Sequence, residues 1–124
     1  MHAPILALAI LAVTAPALGR DRPVPAVTAV GKPVDCIRTW DIRESRVRSD
    51  QVIDFVSKGG KVYRNTLDTA CPTLGFEQRF GYQTHGQQLC STDIIHVLQS
   101  PGLSTGASCG LGSFQPVKLT DARR

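Results

Sequence analysis

The chain has 124 residues, a formal net charge of +4 and 42% hydrophobic residues. This length suffices for one domain, and a domain of this size buries somewhat over ~60% of its unfolded surface, which leaves a thin margin of stability. The modest positive charge argues against a nucleic-acid partner.

Residues 1–19 have the pattern of a signal peptide. The uncharged apolar run between Pro4 and Leu18 is shorter than the roughly 20 residues of a membrane span, and it ends in the small residues that signal peptidase accepts. Cleavage is predicted before Arg20, with a second frame after Ala17. Because no Lys or Arg precedes the run, an uncleaved anchor or a buried helix stays as the alternative.

Cleavage at this point predicts a periplasmic or secreted protein that does not span the membrane. The mature chain is predicted to consist of an extended, Pro-rich leader over residues 20–34, a single β domain over residues 35–119 and a polar tail over residues 120–124. The leader carries Pro23, Pro25, Gly31 and Pro33 without a sustained hydrophobic period.

The four cysteines all lie in the predicted mature part: Cys36, Cys71, Cys90 and Cys109. An even number of cysteines in an exported chain predicts two disulfides, and three pairings are open. We favour Cys71–Cys90, which closes a local loop, with Cys36–Cys109 joining the ends of the domain. The wide spacing argues against a zinc site, which usually takes its cysteines in close pairs. No metal and no cofactor are predicted.

The first half of the domain has the pattern of β-strands. Residues 37–47 mix β-branched and charged residues as a half-exposed strand does, and residues 51–57 alternate more regularly. The pair Gly59-Gly60 predicts a tight hairpin turn in which both glycines have a positive φ. The return strand covers residues 61–67.

The second half is less regular. Residues 80–84 and 89–98 are predicted as strands, with a short helix open for the latter because Thr92-Asp93 can cap one. The glycine-rich residues 100–112 are predicted as loop. Residues 114–119 form a last strand, which Pro116 confines to a sheet edge. The predicted fold is all-β: a compact, disulfide-bonded antiparallel sheet or small barrel of five to six strands.

A cluster of four arginines is the candidate anion-binding site: Arg38, Arg43, Arg46 and Arg48. Such a stretch can meet phosphate, lipid headgroups or anionic glycan, although the more frequent explanation is the solvated face of a strand. Trp40, Tyr63, Phe80 and Tyr82 are candidates for a ligand groove, with core packing as the alternative.

Groups that could serve catalysis are few: His85, Ser91, Thr92, Asp93 and His96. On a regular strand Ser91 and Asp93 share one face and His96 lies on the other, which separates a nucleophile, an acid and a base. No hydrolase motif surrounds them. The sequence therefore predicts a non-enzymatic protein with no catalytic residues.

Four segments carry a resemblance: YRNTL, CPTLGFEQRFGYQT, LCSTDII and SCGLGSFQPV. With the four cysteines and the element formed by Gly59, Gly60, Tyr63, Asn65 and Leu67, they resemble a family of small exported proteobacterial proteins that is a domain of unknown function. The resemblance covers residues 36–117. It implies an envelope location and paired cysteines, and it assigns no activity.

The leading functional hypothesis is an exported β-module that binds an envelope component, with an anionic glycan or a lipid surface as the candidate partner. The predicted export, the predicted disulfides and the missing catalytic motifs carry this hypothesis, and the positive charge suits an anionic partner. Two alternatives are an inhibitor of an envelope or host hydrolase and a small hydrolase that uses Ser91, Asp93 or His85.

Overall fold

A computed structural model describes residues 3–4, 23–84 and 86–120. The rest of the predicted signal peptide, His85 and residues 121–124 of the predicted tail lie outside these ranges. Among the described residues, no helix is long and apolar enough to cross a membrane.

The described chain is nearly all β, which confirms the predicted fold class. The strands in chain order are Val27–Ala29 (β1), Cys36–Arg38 (β2), Ile42–Val47 (β3), Val52–Ser57 (β4), Val62–Thr66 (β5), Phe80–Tyr82 (β6), Gln88–Cys90 (β7), Ile94–Gln99 (β8), Ser104–Gly110 (β9) and Phe114–Leu119 (β10). A 3-10 helix covers Thr39–Asp41, and a single α-helical turn, α1, covers Leu74–Glu77.

The strands form three antiparallel sheets. The largest has five strands in the order β1-β10-β5-β4-β3, the second pairs β2 with β7, and the third has the order β6-β8-β9. The described strands are therefore more numerous and shorter than the five to six predicted. The large sheet is open, with β1 and β3 at its edges, so the compact sheet is correct and a closed barrel is not formed.

The core joins all three sheets. Phe55 of β4 contacts Phe114 of β10 and Phe80 of β6 edge-on, with ring centroids 5.5 and 6.1 Å apart. Buried aliphatic side chains from β8 and β7, such as Ile95 and Leu89, belong to the same cluster. Aromatic rings bury large apolar areas, so the Phe55–Phe80 contact and the shared apolar cluster hold the three sheets together.

The β4–β5 hairpin is present as predicted, but its turn differs. Gly60 has a φ of +87°, whereas Gly59 does not have a positive φ. The Gly60 N–H donates to the Ser57 carbonyl (2.9 Å) and the Ser57 N–H to the Lys61 carbonyl (2.8 Å). This is a three-residue loop that needs one left-handed residue at its end, not the two-residue turn that needs two.

The large sheet begins within the segment predicted as a leader. Strand β1 pairs with β10, and Val34 forms a further bridge to Phe114. The Arg64 side chain also donates to the Pro25 carbonyl (2.8 Å). The folded unit therefore starts before Asp35.

Strand β10 lies inside the sheet, between β1 and β5, and the predicted edge position was wrong. The Val30 N–H donates to the Pro116 carbonyl, and Phe114 exchanges hydrogen bonds with Val34. The Pro116 nitrogen therefore faces the stretch between Val30 and Val34, where the ladder to β1 is interrupted. A missing N–H costs nothing at such a gap.

Two predicted strands are interrupted. The 3-10 helix at Thr39–Asp41 separates β2 from β3 within residues 37–47. Between β7 and β8, the Asp93 carboxylate accepts a hydrogen bond from the Cys90 N–H (2.7 Å), and the Asp93 N–H donates to the Cys90 carbonyl (2.9 Å). This side-chain-stabilised turn breaks residues 89–98 into two strands, and the short helix is absent.

The prediction of a loop over residues 100–112 was wrong for most of its length. Only its first residues turn, and β9 then pairs with β8 from Ser104 to Gly110. Small residues have little strand propensity of their own, so the partner strand decides the conformation here.

The disulfides are Cys36–Cys90 and Cys71–Cys109, so the predicted pairing was wrong although all four cysteines are bonded. Cys36 and Cys90 stand directly opposite each other in the β2–β7 pair. The unexpected strand β9 brings Cys109 to the buried Cys71. Two disulfides suit an oxidising compartment.

Candidate functional site

Trp40 is a large aromatic residue that the fold places outside the core near cationic side chains. It lies in the 3-10 helix, and its side chain is 52% exposed. The Lys58 N–H donates to the Asp41 carbonyl (2.8 Å), which attaches the β4–β5 hairpin to this helix. The 3-10 helix that interrupts the strand between β2 and β3 therefore presents the indole at the hairpin end of the molecule.

Two cations lie against the indole. The Arg38 guanidinium carbon is 5.7 Å from the ring centroid, and the Lys58 Nζ is 5.9 Å from it. At an exposed site each such cation–π contact contributes about 0.5–1 kcal/mol. Lys61 adds a third cation at this hairpin, with its Nζ 5.3 Å from the Tyr63 ring.

A cleft of about 350 Å³ adjoins the indole. It is lined by Arg38, Trp40, Gly86, Gln87 and Gln88. Gln88 stands opposite Arg38 in the β2–β7 pair, and the Thr39 N–H donates to the Gln87 carbonyl (2.9 Å). We call Trp40, Arg38, Lys58, Gln87 and Gln88 the Trp40 cluster. It combines an apolar ring face, two positive charges and two amides.

The structure does not bring the four predicted arginines together. Arg48 donates to the Asp54 carboxylate (2.9 Å), and Arg64 donates to both oxygens of the same carboxylate (2.8 and 2.9 Å). Asp54 is completely buried, while the side chains of Arg48 and Arg64 are only 14% and 12% exposed. Arg48 is therefore occupied in a structural ion-pair network.

Arg43 and Arg46 both lie beside Glu44. Arg46 hydrogen-bonds to the Glu44 carboxylate, and the Arg43 guanidinium is 3.6 Å from it. The hydrogen bond from Arg46 lowers the pKa of Glu44 below its ordinary value. Of the four arginines, Arg38 is the one that lines the cleft.

The described catalytic candidates take part in separate contacts, and His85 lies outside the described ranges. Asp93 stabilises the turn after β7, and the Ser91 N–H donates to the Asp35 carbonyl (2.7 Å). His96 instead contacts Ser108 across the β8–β9 pair, with 2.8 Å between Nδ1 and Oγ. The ion pairs of the described residues do not include His96, so this exposed pair lacks the carboxylate that orients a catalytic histidine.

The His96–Ser108 contact could not be inferred from the sequence, because Ser108 fell in the predicted loop. The Trp40 cluster was inferred only in part. The sequence singles out Trp40 and Arg38 for separate reasons, and it gives no reason to single out Lys58 or the two glutamines. Of the other predicted groove residues, Phe80 contacts Phe55 and packs against the core.

Within the described ranges, no group of three or more His, Cys, Asp or Glu side chains could hold a metal ion. The chain matches no protein-family model, no curated protein and no solved structure. The resemblance to the small exported proteobacterial family therefore stays a prediction. The Trp40 cluster is the candidate functional site of the described residues.

Proposed function

We propose that this protein is an exported, non-enzymatic module that binds an anionic component of the cell envelope through the Trp40 cluster. The observation that carries the proposal is the half-exposed indole with Arg38 and Lys58 each within 6 Å of its centroid, beside a cleft. The two disulfides and the signal-peptide pattern support a periplasmic or secreted location.

The charge balance of this cluster supports an anionic ligand. Arg48 and Arg64 are ion-paired with one buried carboxylate, whereas Arg38 and Lys58 face an aromatic ring that carries no net charge. The ion pairs of the described residues do not include Arg38 or Lys58, so an anion that enters the cleft gains charge-assisted hydrogen bonds without breaking any of them.

The chain contains one tryptophan, so its intrinsic fluorescence reports directly on the proposed site. We expect polygalacturonate or phosphatidylglycerol vesicles to change the emission of Trp40 at low salt. Dextran and phosphatidylcholine vesicles, which lack net charge, are the controls. High salt is expected to weaken the binding, because it screens exposed charges.

The variant Arg38→Gln/Lys58→Gln is expected to bind the anionic probe at least about tenfold more weakly, because a hydrogen bond to a charged group contributes about 1.5–3 kcal/mol. Arg79→Gln/Lys118→Gln is the matched control: it removes the same charges from two exposed side chains outside the cluster. Equal losses in both variants would mean that only net charge matters and would contradict the proposal. Failure of both anionic probes to bind would contradict it as well.

A further inference from the structure

We infer that the ligand of the Trp40 cluster is an acidic glycan, bound with one sugar ring against the indole and its carboxylate between Arg38 and Lys58. This inference rests on the proposed function and names the class of ligand. An anionic membrane surface is the competing source of negative charge, and the lining of the cleft distinguishes the two.

The polarity of the cleft favours a hydroxyl-rich ligand. Trp40 is the one apolar side chain among the five lining residues. Gln87 and Gln88 are exposed, and each amide offers two N–H donors and an acceptor oxygen. Proteins that lie in a bilayer interface instead bury a continuous apolar face among the acyl chains. A cleft lined by amides beside one ring suits the alternating hydroxyl and C–H surface of a sugar.

The indole provides the surface on which a sugar can stack. A pyranose has one face made mainly of C–H groups, and its burial against an aromatic ring removes apolar area of both partners from water. Arg38 and Lys58 lie against the ring, but their cation–π contacts are weak at an exposed site. A stacked sugar therefore displaces them at low cost.

The positions of the two cations select an acidic sugar. Both long side chains lie within 6 Å of the ring centroid, so after a stacked sugar displaces them from the ring they remain within reach of its carboxylate. The planar guanidinium of Arg38 can bind a carboxylate with two parallel N–H···O bonds, whereas Lys58 contributes a point charge. Asp41, in the same 3-10 helix, contributes one negative charge against these two positive ones.

The first test compares three probes by calorimetry and by Trp40 fluorescence: trigalacturonate, its methyl ester and phosphatidylglycerol vesicles. The ester keeps the rings and their hydroxyls, removes the negative charges and adds one methyl group to each carboxyl. We expect trigalacturonate to bind and to change the emission, and the ester to bind at least about tenfold more weakly. Equal affinity for acid and ester would overturn the acidic-glycan inference.

Binding to the vesicles without binding to trigalacturonate would overturn this inference and leave the proposed function standing. Failure of both anionic probes would remove the proposed function as well. The two failures are therefore distinguishable in one series of titrations.

The second test uses calorimetry on variants of the cluster. We expect Trp40→Phe to keep most of the affinity for trigalacturonate and Trp40→Ala to lose about tenfold or more, since the stacking surface is absent. Arg38→Lys keeps the charge but not the planar fork, so its affinity is expected between those of the native protein and Arg38→Gln. Unchanged affinity in Trp40→Ala, with Arg79→Gln as the reference variant, would contradict the assigned binding mode.

Discussion

Two regions of this protein each hold a pair of cations, and they use them differently. Arg48 and Arg64 enclose a fully buried carboxylate, Asp54, on the large sheet. Arg38 and Lys58 flank Trp40, which is half-exposed at the hairpin end. The same kind of side chain is thus fixed in the fold in one place and available to solvent in the other.

The partner of each cation pair accounts for the difference. A buried carboxylate requires compensation, because an uncompensated charge in the interior is costly. Arg64 also donates a hydrogen bond to the Pro25 carbonyl, so the Asp54 network attaches the residues before β1 to the large sheet. An indole requires no such compensation, so the cations at Trp40 contribute little to folding and can exchange partners.

The largest expected effect is at Asp54. Asp54→Asn leaves Arg48 and Arg64 nearly buried without their counter-charge, so we expect the free energy of unfolding to fall by about 3–5 kcal/mol. Urea denaturation followed by circular dichroism measures it. Asp68→Asn, at an exposed carboxylate, is the control and should change stability by less than about 0.5 kcal/mol. A similar small change at Asp54 would show that the network is not structural.

The disulfides should affect the two regions unequally. Removing either bond is expected to cost about 2–4 kcal/mol of stability. Cys36–Cys90, however, joins the short β2–β7 pair that carries Arg38 and Gln88, two residues from the bond in each strand. We therefore expect Cys36→Ala/Cys90→Ala to shift the Trp40 emission of the folded protein to longer wavelength.

Cys71→Ala/Cys109→Ala is the matched variant for that experiment, because this disulfide lies outside the β2–β7 pair. We expect its folded-state emission to match that of the native protein. Equal shifts in the two variants would mean that the Trp40 cluster depends on the whole fold and not on the strand pair that bears it.

A smaller effect on folding is expected at Trp40 itself. Trp40→Ala should lower the free energy of unfolding by no more than about 1–2 kcal/mol, because its loss removes two exposed cation–π contacts and no core packing. Urea denaturation followed by far-ultraviolet circular dichroism is the appropriate measurement. A loss as large as that of Asp54→Asn would make the indole a structural residue.

The smallest effect concerns the exposed carboxylate of Glu44. Because Arg46 lowers the pKa of Glu44 in the folded protein, this carboxylate stabilises the fold above its ordinary pKa, and the contribution disappears as the pH falls through the lowered value. In Arg46→Gln the pKa of Glu44 should rise towards its ordinary value. An NMR titration of the Glu44 side chain measures it, and an unchanged midpoint would exclude Arg46 as the cause.

Local patterns predicted well where neighbouring residues decide the structure. The alternation in residues 51–57 and the paired glycines after them were enough for the β4–β5 hairpin. Residues 104–110 could not be predicted as a strand, because their conformation depends on pairing with β8. The cysteine pairing failed for the same reason, since each disulfide joins strands or loops that are distant in sequence.

The candidate site was harder to predict than the fold. The charge cluster in residues 38–48 indicated an anion site, but the sequence does not show which arginines meet a carboxylate. Asp54 and Glu44 occupy three of the four. The Arg48–Asp54 contact depends on the pairing of β3 with β4, whereas Glu44 meets Arg43 and Arg46 within β3. Lys58 reaches Trp40 only because the hairpin folds back onto the 3-10 helix.

The side-chain amide of Asn65 hydrogen-bonds to the backbone of a segment that is distant in sequence, as a neighbouring strand would. Its amide donates to the Gly112 carbonyl (2.7 Å), and its oxygen accepts from the Gly112 N–H (2.8 Å). A Cβ at position 112 would clash with the Thr66 carbonyl oxygen. Glycine is therefore required at this position by the backbone of β5, whatever residue occupies position 65. A homologue that loses the glycine must move the two segments apart, and it then also loses both hydrogen bonds to the asparagine.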